Sequence, residues 1–489
     1  MDRCFIGLLI SLALTTSAHA QTGFQVAWDR ETALLVPKLD ELAGWAQKQR
    51  LFAECVRTYQ LIIELEPDHA RGRRVLRYRR EGKDGPWARS RPFKMPKNLS
   101  EKGLAEYRTR RATLVTPFVK SIVDALEEAH SAIDGKVRED VLRKLIRIDP
   151  ENADARRAFG DVKSGDRWLP EDAVVAGVRR KELVRKAKQL KDAVPATRPA
   201  PLTPADEALG IAFRSSITTG DVRVLSTGDP AEAALIARCC HAAPSLFNAL
   251  LNTTARLPEG YSVFVLPDDA AKKQLLDKHP DINADNRRFF EQLSGGWVRR
   301  STHLLDWSPN SAGRIDYAVR QTHALMFIRD YGITMRQGWV WEGFGLYLTD
   351  LICGTKLTYY VRSSTYSPGA DGLRRRLMNK ATNWFSEGLA LLRRPDHPAL
   401  GGVLTADATG MSDEDMLLAY VVAAWLIETR PSKLRSILRS VAATDASGKP
   451  GVTGPTALRE HLGIDLPTLE RRLVRWLEAV VAETKPAGG

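Results

Sequence analysis

At 489 residues the chain is longer than one hydrophobic core organises, so two or three domains are expected. The formal net charge is +13, and it is unevenly spread: residues 21–200 hold 38 Lys+Arg against 27 Asp+Glu, whereas residues 201–489 hold 33 against 31. After residue 20 only Cys55, Cys239, Cys240 and Cys353 remain, which excludes a disulfide scaffold. One bridge from Cys239 or Cys240 to Cys353, or simply buried thiols, are both open readings. No CxxC or Cys/His cluster marks a metal site of its own.

In chain order, Met1–Ala20 has an early Arg3, an apolar stretch from Phe5 to Leu14 and a small-residue end, Ala18-His19-Ala20. That pattern predicts a signal peptide and an exported product starting near Gln21, periplasmic or extracellular. No later run approaches the roughly 20 apolar residues of a spanning helix, so no transmembrane segment is expected. Ala33–Gln47 and Leu51–Leu65 read as helices, the second with Cys55, Tyr59, Ile62 and Ile63 on its apolar side. Asp68 follows the Pro67 break as an expected N-cap.

The stretch ELEPDHARGRRVLRY, followed by DGPW, is echoed by RIDPENADARRAFGD, followed by GDRW. Pro67 then corresponds to Pro150 and Trp87 to Trp168. The echo predicts two helical modules, 21–100 and 101–191, each similar to a tetratricopeptide-type unit. The clusters containing Arg71, Arg74 and Arg77, and Arg179, Arg180 and Lys181, form a candidate patch for an anionic partner such as an envelope polymer, with a solvated helix face as the plainer reading. Nucleic acid is disfavoured, because aromatic residues are not interleaved with these arginines. Four prolines between Asp192 and Asp206 predict a semi-rigid linker at 192–206.

From residue 207 to 482 the pattern changes. Strands are expected at Val222–Ser226, Tyr261–Leu266 and Trp297–Leu305, and helices at Pro230–Leu250 and Ala270–Lys278. Further helices are expected at Leu373–Leu392, from a cap at Ser412 through Ile427, and near the end before a tail at 483–489. The fold class is therefore α+β, mostly helical.

The most informative stretch is Ile315–Leu348. Ile315, Ala318, Val319, Leu325, Met326 and Ile328 follow a helical stripe that also carries His323. After a turn at Gly332, a second apolar helix carries Glu342 within Trp339-Val340-Trp341-Glu342-Gly343. A His helix followed by a Glu helix resembles the zinc site of gluzincin (MA-type) metallopeptidases, and the resemblance covers roughly residues 205–482.

In that family the first helix carries His-Glu-x-x-His and the next supplies a third ligand, Glu. Here the resemblance places His323 and Glu342 at two vestigial ligand positions. Val319 replaces the first His, and Arg320 stands at the general-base Glu position. Catalytic zinc takes three protein ligands and an open water position, and its general base must accept a proton; Arg320 cannot.

The resemblance therefore implies a pseudopeptidase with no catalytic residues and no cofactor, acting by binding protein, peptide or an anionic envelope polymer. The alternatives are an active zinc peptidase with an unusual ligand set, drawing on Asp316 or His303, and a purely structural envelope protein. An ion pair from Arg320 or His323 to Glu342 in a filled cleft would favour the structural reading. No G-x-S-x-G elbow, phosphate-cradling glycine loop or S-x-x-K motif is present.

Overall fold

The computed structural model describes residues 3–82, 85–89, 94–99, 101–129, 133–291, 296–298, 303–306, 311–356, 371–442 and 451–484. These fall into two compact units, Met1–Glu171 and Asp172–Gly489. The architecture is mostly helical α+β.

The first unit consists of α1 (Arg3–Lys48), α2 (Phe52–Leu65), α3 (Ala70–Val75), the hairpin β1 (Tyr78–Arg80) and β2 (Trp87–Arg89), then α4 (Leu104–Glu128), α5 (Gly135–Ile148), α6 (Ala153–Ala158) and the hairpin β3 (Asp161–Ser164) and β4 (Arg167–Pro170). On α2, Cys55, Tyr59 and Ile62 recur on one helix face and are buried, facing Leu35 and Leu39 of α1 and Phe118 and Ile122 of α4 in one core. The residues expected to form the signal segment continue the backbone of α1, and their side chains lie outside the described part.

The same local construction recurs at matching positions of the echoed stretches. Arg73 donates from Nε to the Pro67 carbonyl at 2.7 Å, and Arg156 donates to the Pro150 carbonyl at 2.9 Å. Trp87 Nε1 donates to Asp68 at 2.9 Å, and Trp168 Nε1 donates to Glu151 at 3.1 Å. In each case an arginine ties a short helix to its preceding Pro turn while a hairpin tryptophan clamps the acidic residue after that proline. The expected cap is displaced by one residue, because Asp68 is engaged by Trp87 and the His69 ring nitrogen accepts from Gly72 N instead.

In the second unit, α7 (Glu171–Asp192) starts at the boundary and buries Ala173, Ala176, Leu183 and Ala187 in that unit's core. The predicted linker at 192–206 is corrected accordingly: it lies inside the second unit and contributes the edge strand β5 (Arg198–Pro199) and the short α8 (Pro204–Ala208), closed by a capping box between Thr203 and Asp206. Proline is tolerated there because an edge strand leaves one backbone side unpaired.

Strands β6 (Ser215–Thr219), β7 (Val222–Ser226) and β8 (Ser262–Val265) follow, with α9 (Pro230–Leu251) crossing between the last two. Beyond α10 (Asp269–Lys278) and α11 (Ala284–Glu291), the expected third strand is a hairpin of β9 (Gly296–Val298) and β10 (His303–Asp306). The sheet order is β5-β6-β7-β8-β10-β9, parallel only across β7-β8-β10. Parallel pairing requires crossovers, and α9 supplies the first. Among the described residues, α9 is the one helix long and apolar enough to cross a membrane, yet just over half of its most apolar window is buried in this core, against the sheet and the helix that follows it in space.

The remainder is helical: α12 (Ser311–Tyr331), a π-helical turn (Trp339–Phe344), α13 (Gly345–Cys353), α14 (Asp371–Leu377), α15 (Trp384–Leu392), α16 (Leu400–Val403), α17 (Asp413–Thr429), α18 (Leu434–Ala442), α19 (Gly454–Leu462) and α20 (Leu466–Thr484). Ser412 caps α17 in a capping box with Asp415. The helix expected over 373–392 is two helices, because Asn383 accepts from the amides of Phe385 and Ser386 and starts a new one.

Candidate functional site

Every residue of α12 from Asp316 to Phe327 is buried. The apolar stripe read from the sequence accounts for one side only; α9, α13 and the sheet cover the rest. Its polar side chains are therefore held in the core, where each needs a partner. Arg314 grips Glu232 of α9 with nitrogen–oxygen distances of 2.8 to 3.2 Å. Thr322 Oγ1 donates to the Ala318 carbonyl at 2.8 Å and lies 2.9 Å from the Tyr261 hydroxyl. Asp316 accepts from the hydroxyl of Thr355.

Glu342 sits in the π-helical turn, whose extra residue per turn sets it at the start of α13, facing α12. The turn lies close against α17: a Cβ added to Gly343 would stand 2.3 Å from the Ala419 carbonyl oxygen, so only glycine fits. This brings the fully buried Glu342 carboxylate into direct contact with the Arg320 guanidinium, whose side chain is 4% exposed. The contact brings the two opposite charges together directly. Burial lowers the Arg320 pKa to about 10, opposed by Tyr317 and Asp316. At neutral pH the guanidinium stays charged.

His323, one turn further along α12, has no exposed surface, and neither ring nitrogen makes an aligned hydrogen bond. Burial pushes its pKa down to about 3, opposed by the nearby backbone of Ala243 on α9. His323 is thus a neutral ring that hydrogen-bonds neither Glu342 nor Arg320.

These residues do not fit zinc. Val319 is buried apolar packing and offers no donor. The charge of Glu342 is already met by Arg320, and a second cation beside that guanidinium would be repelled. Among the described residues, no three His, Cys, Asp or Glu side chains gather where they could hold a metal ion. Asp316 is spent on Thr355, and the side chain of His303 lies outside the described residues.

The predicted anionic-partner patch divides between the two units. In the first, Arg71 pairs with Asp40 at 2.8 Å, Arg74 donates to the Ala70 carbonyl, and Arg77 takes a left-handed φ of 63° at the end of its helix. In the second, Arg179 pairs with Glu182 at 3.3 Å, and Arg180 is drawn inward to the buried Glu428 at 2.5 and 2.7 Å; Lys181 is exposed. Arg180 is therefore structural, a role its sequence neighbourhood did not signal, since its partner lies 248 residues away.

The sequence also gave no sign of the groove beside this pair. It has a volume of about 420 Å³ and lies between α7 and α13, with Phe385 and Tyr420 at its base. Cys239 and Cys353 are free thiols, and the proximity of Cys353 lowers the Cys239 pKa. No family model, no curated protein and no solved structure matches this chain.

Proposed function

We propose that the chain is an exported, non-catalytic relative of gluzincin peptidases that acts by binding rather than by hydrolysis. The observation that carries the non-catalytic part of this reading is the buried Arg320–Glu342 ion pair, which puts a fixed cation where a general base would stand and consumes the one carboxylate at a ligand position. The repeated helix-and-hairpin construction of the first unit favours a protein, peptide or anionic envelope polymer as partner.

A second reading, a purely structural protein, draws on the burial of Arg320, His323 and Glu342, which closes the old ligand position to any substrate. Binding therefore falls to surfaces other than the vestigial site.

The test is the metal content of the purified full-length chain after zinc exposure and desalting. The expected result is no retained zinc and no peptidase activity. One equivalent of zinc per chain would overturn the reading. Val319→His with Arg320→Glu supplies the missing donor and base, and is expected to create zinc affinity; a double variant that folds but takes up none would show that the helix is wrongly aligned with the peptidase pattern.

A further inference from the structure

The groove of about 420 Å³ in the second unit falls in the size range of small-molecule sites. One wall is the face of α7 bearing Val184, Lys188 and Lys191, spaced so that they share one side of the helix. The facing wall is α13, through Tyr347 and Leu351. Its base is aromatic, and Arg180 lies 4.6 Å above the Phe385 ring.

The polar groups at the base are already committed. Arg180 is held by Glu428, and the Tyr347 hydroxyl donates to the same carboxylate at 2.7 Å. Asp350 takes the Tyr420 hydroxyl at 3.2 Å and Lys356 at 3.1 Å. The charges at the base therefore cancel in pairs, while among the described residues neither Lys188 nor Lys191 has a carboxylate partner. Val184, apolar and 55% exposed, extends the greasy surface up to the lysines. An apolar wall beside two lysines that have no carboxylate partner among the described residues selects for a molecule with one anionic end and one apolar body.

We propose that this groove binds a small amphipathic anion, a carboxylate or phosphate headgroup set between Lys188 and Lys191 with its apolar body on Val184, Leu351 and Phe385. The proposal rests on the binding reading above and is independent of the zinc position.

The experiment is calorimetric titration of the full-length chain with octanoate, octyl phosphate, octylamine and inorganic phosphate. At least one amphipathic anion is expected to bind about tenfold or more tightly than octylamine, and the tighter of the two assigns the headgroup. K188E with K191E is expected to abolish that preference, and V184W to weaken both anions by obstructing the trough. All three positions lie outside the core, so a circular dichroism spectrum matching the parent is expected.

Equal binding of octylamine would overturn the proposal, as would a preference that survives the lysine reversal, inorganic phosphate binding as tightly as octyl phosphate, or no binding by any probe. Lack of binding in a zinc-free chain would sink this site and leave the pseudopeptidase reading standing. Retained zinc together with anion-selective binding would sink the pseudopeptidase reading and leave this site standing.

Discussion

Arg320 and Glu342 are buried in direct contact in a place with almost no water, and opposite charges so placed make each other tolerable. Removing one partner strands a buried charge, which typically costs about 3–5 kcal/mol, whereas removing both can be nearly neutral. Glu342→Ala is therefore expected to destabilise the chain by that order, and Arg320→Met with Glu342→Leu to recover most of the loss. Urea denaturation of the three proteins decides it, and a fully stable Glu342→Ala would contradict the paired role.

His323 makes a separate prediction. Its folded pKa of about 3 lies below its ordinary 6.5, so the unfolded chain binds the extra proton first. The stability tied to the neutral ring is whole above pH 6.5 and is lost as the pH falls toward 3. Between pH 7.5 and 5.5 this residue alone costs about 1.4 kcal/mol. His323→Leu should lose that much less over the same interval; identical slopes would mean the ring is not buried neutral. That Glu342 would find a cationic or imidazole partner on the preceding helix could be read from residue types and spacing. That Arg320, and not His323, would take the carboxylate could not.

Among the elements, the π-helical turn depends on glycine. A side chain at Gly343 would meet the Ala419 backbone, which cannot swing aside like a flexible side chain. Gly343→Ala is expected to lower stability by about 1–3 kcal/mol through overpacking. Gly177→Ala, inside α7 with nothing within 4 Å of the new methyl, is expected to gain about 0.5–1 kcal/mol. Thermal unfolding that fails to separate the two variants in opposite directions would refute the close approach of the turn and α17. Elements with strong local signals were legible: α2, β7, α10 and the Ser412 cap follow from apolar period, β-branched alternation and capping chemistry. The break inside 373–392 was not, because its apolar period runs on while Asn383 restarts the helix through its own amide bonds.

For the molecule as a whole, the boundary matters most. A proline-rich stretch looks like a linker in sequence, yet residues 192–206 join the sheet, and α7 before them supplies core alanines and the partner of Glu428. A chain of residues 172–489 is therefore expected to fold cooperatively and stay soluble. One beginning at 207 exposes that core and leaves Glu428 without Arg180, so it is expected to aggregate or melt well below the longer piece. Equal melting temperatures would place the boundary back at the prolines.

The sequence by itself determined the mostly helical α+β class and the echo between the two helical stretches, because helical period and turn residues are local properties. Only the tertiary structure decided which charges are spent. Arg180 and Glu428 are 248 residues apart, and Arg320 meets Glu342 only because a π turn and a glycine contact with α17 place it there. Pairing across such distances depends on which surfaces close over each other, and no local pattern encodes that.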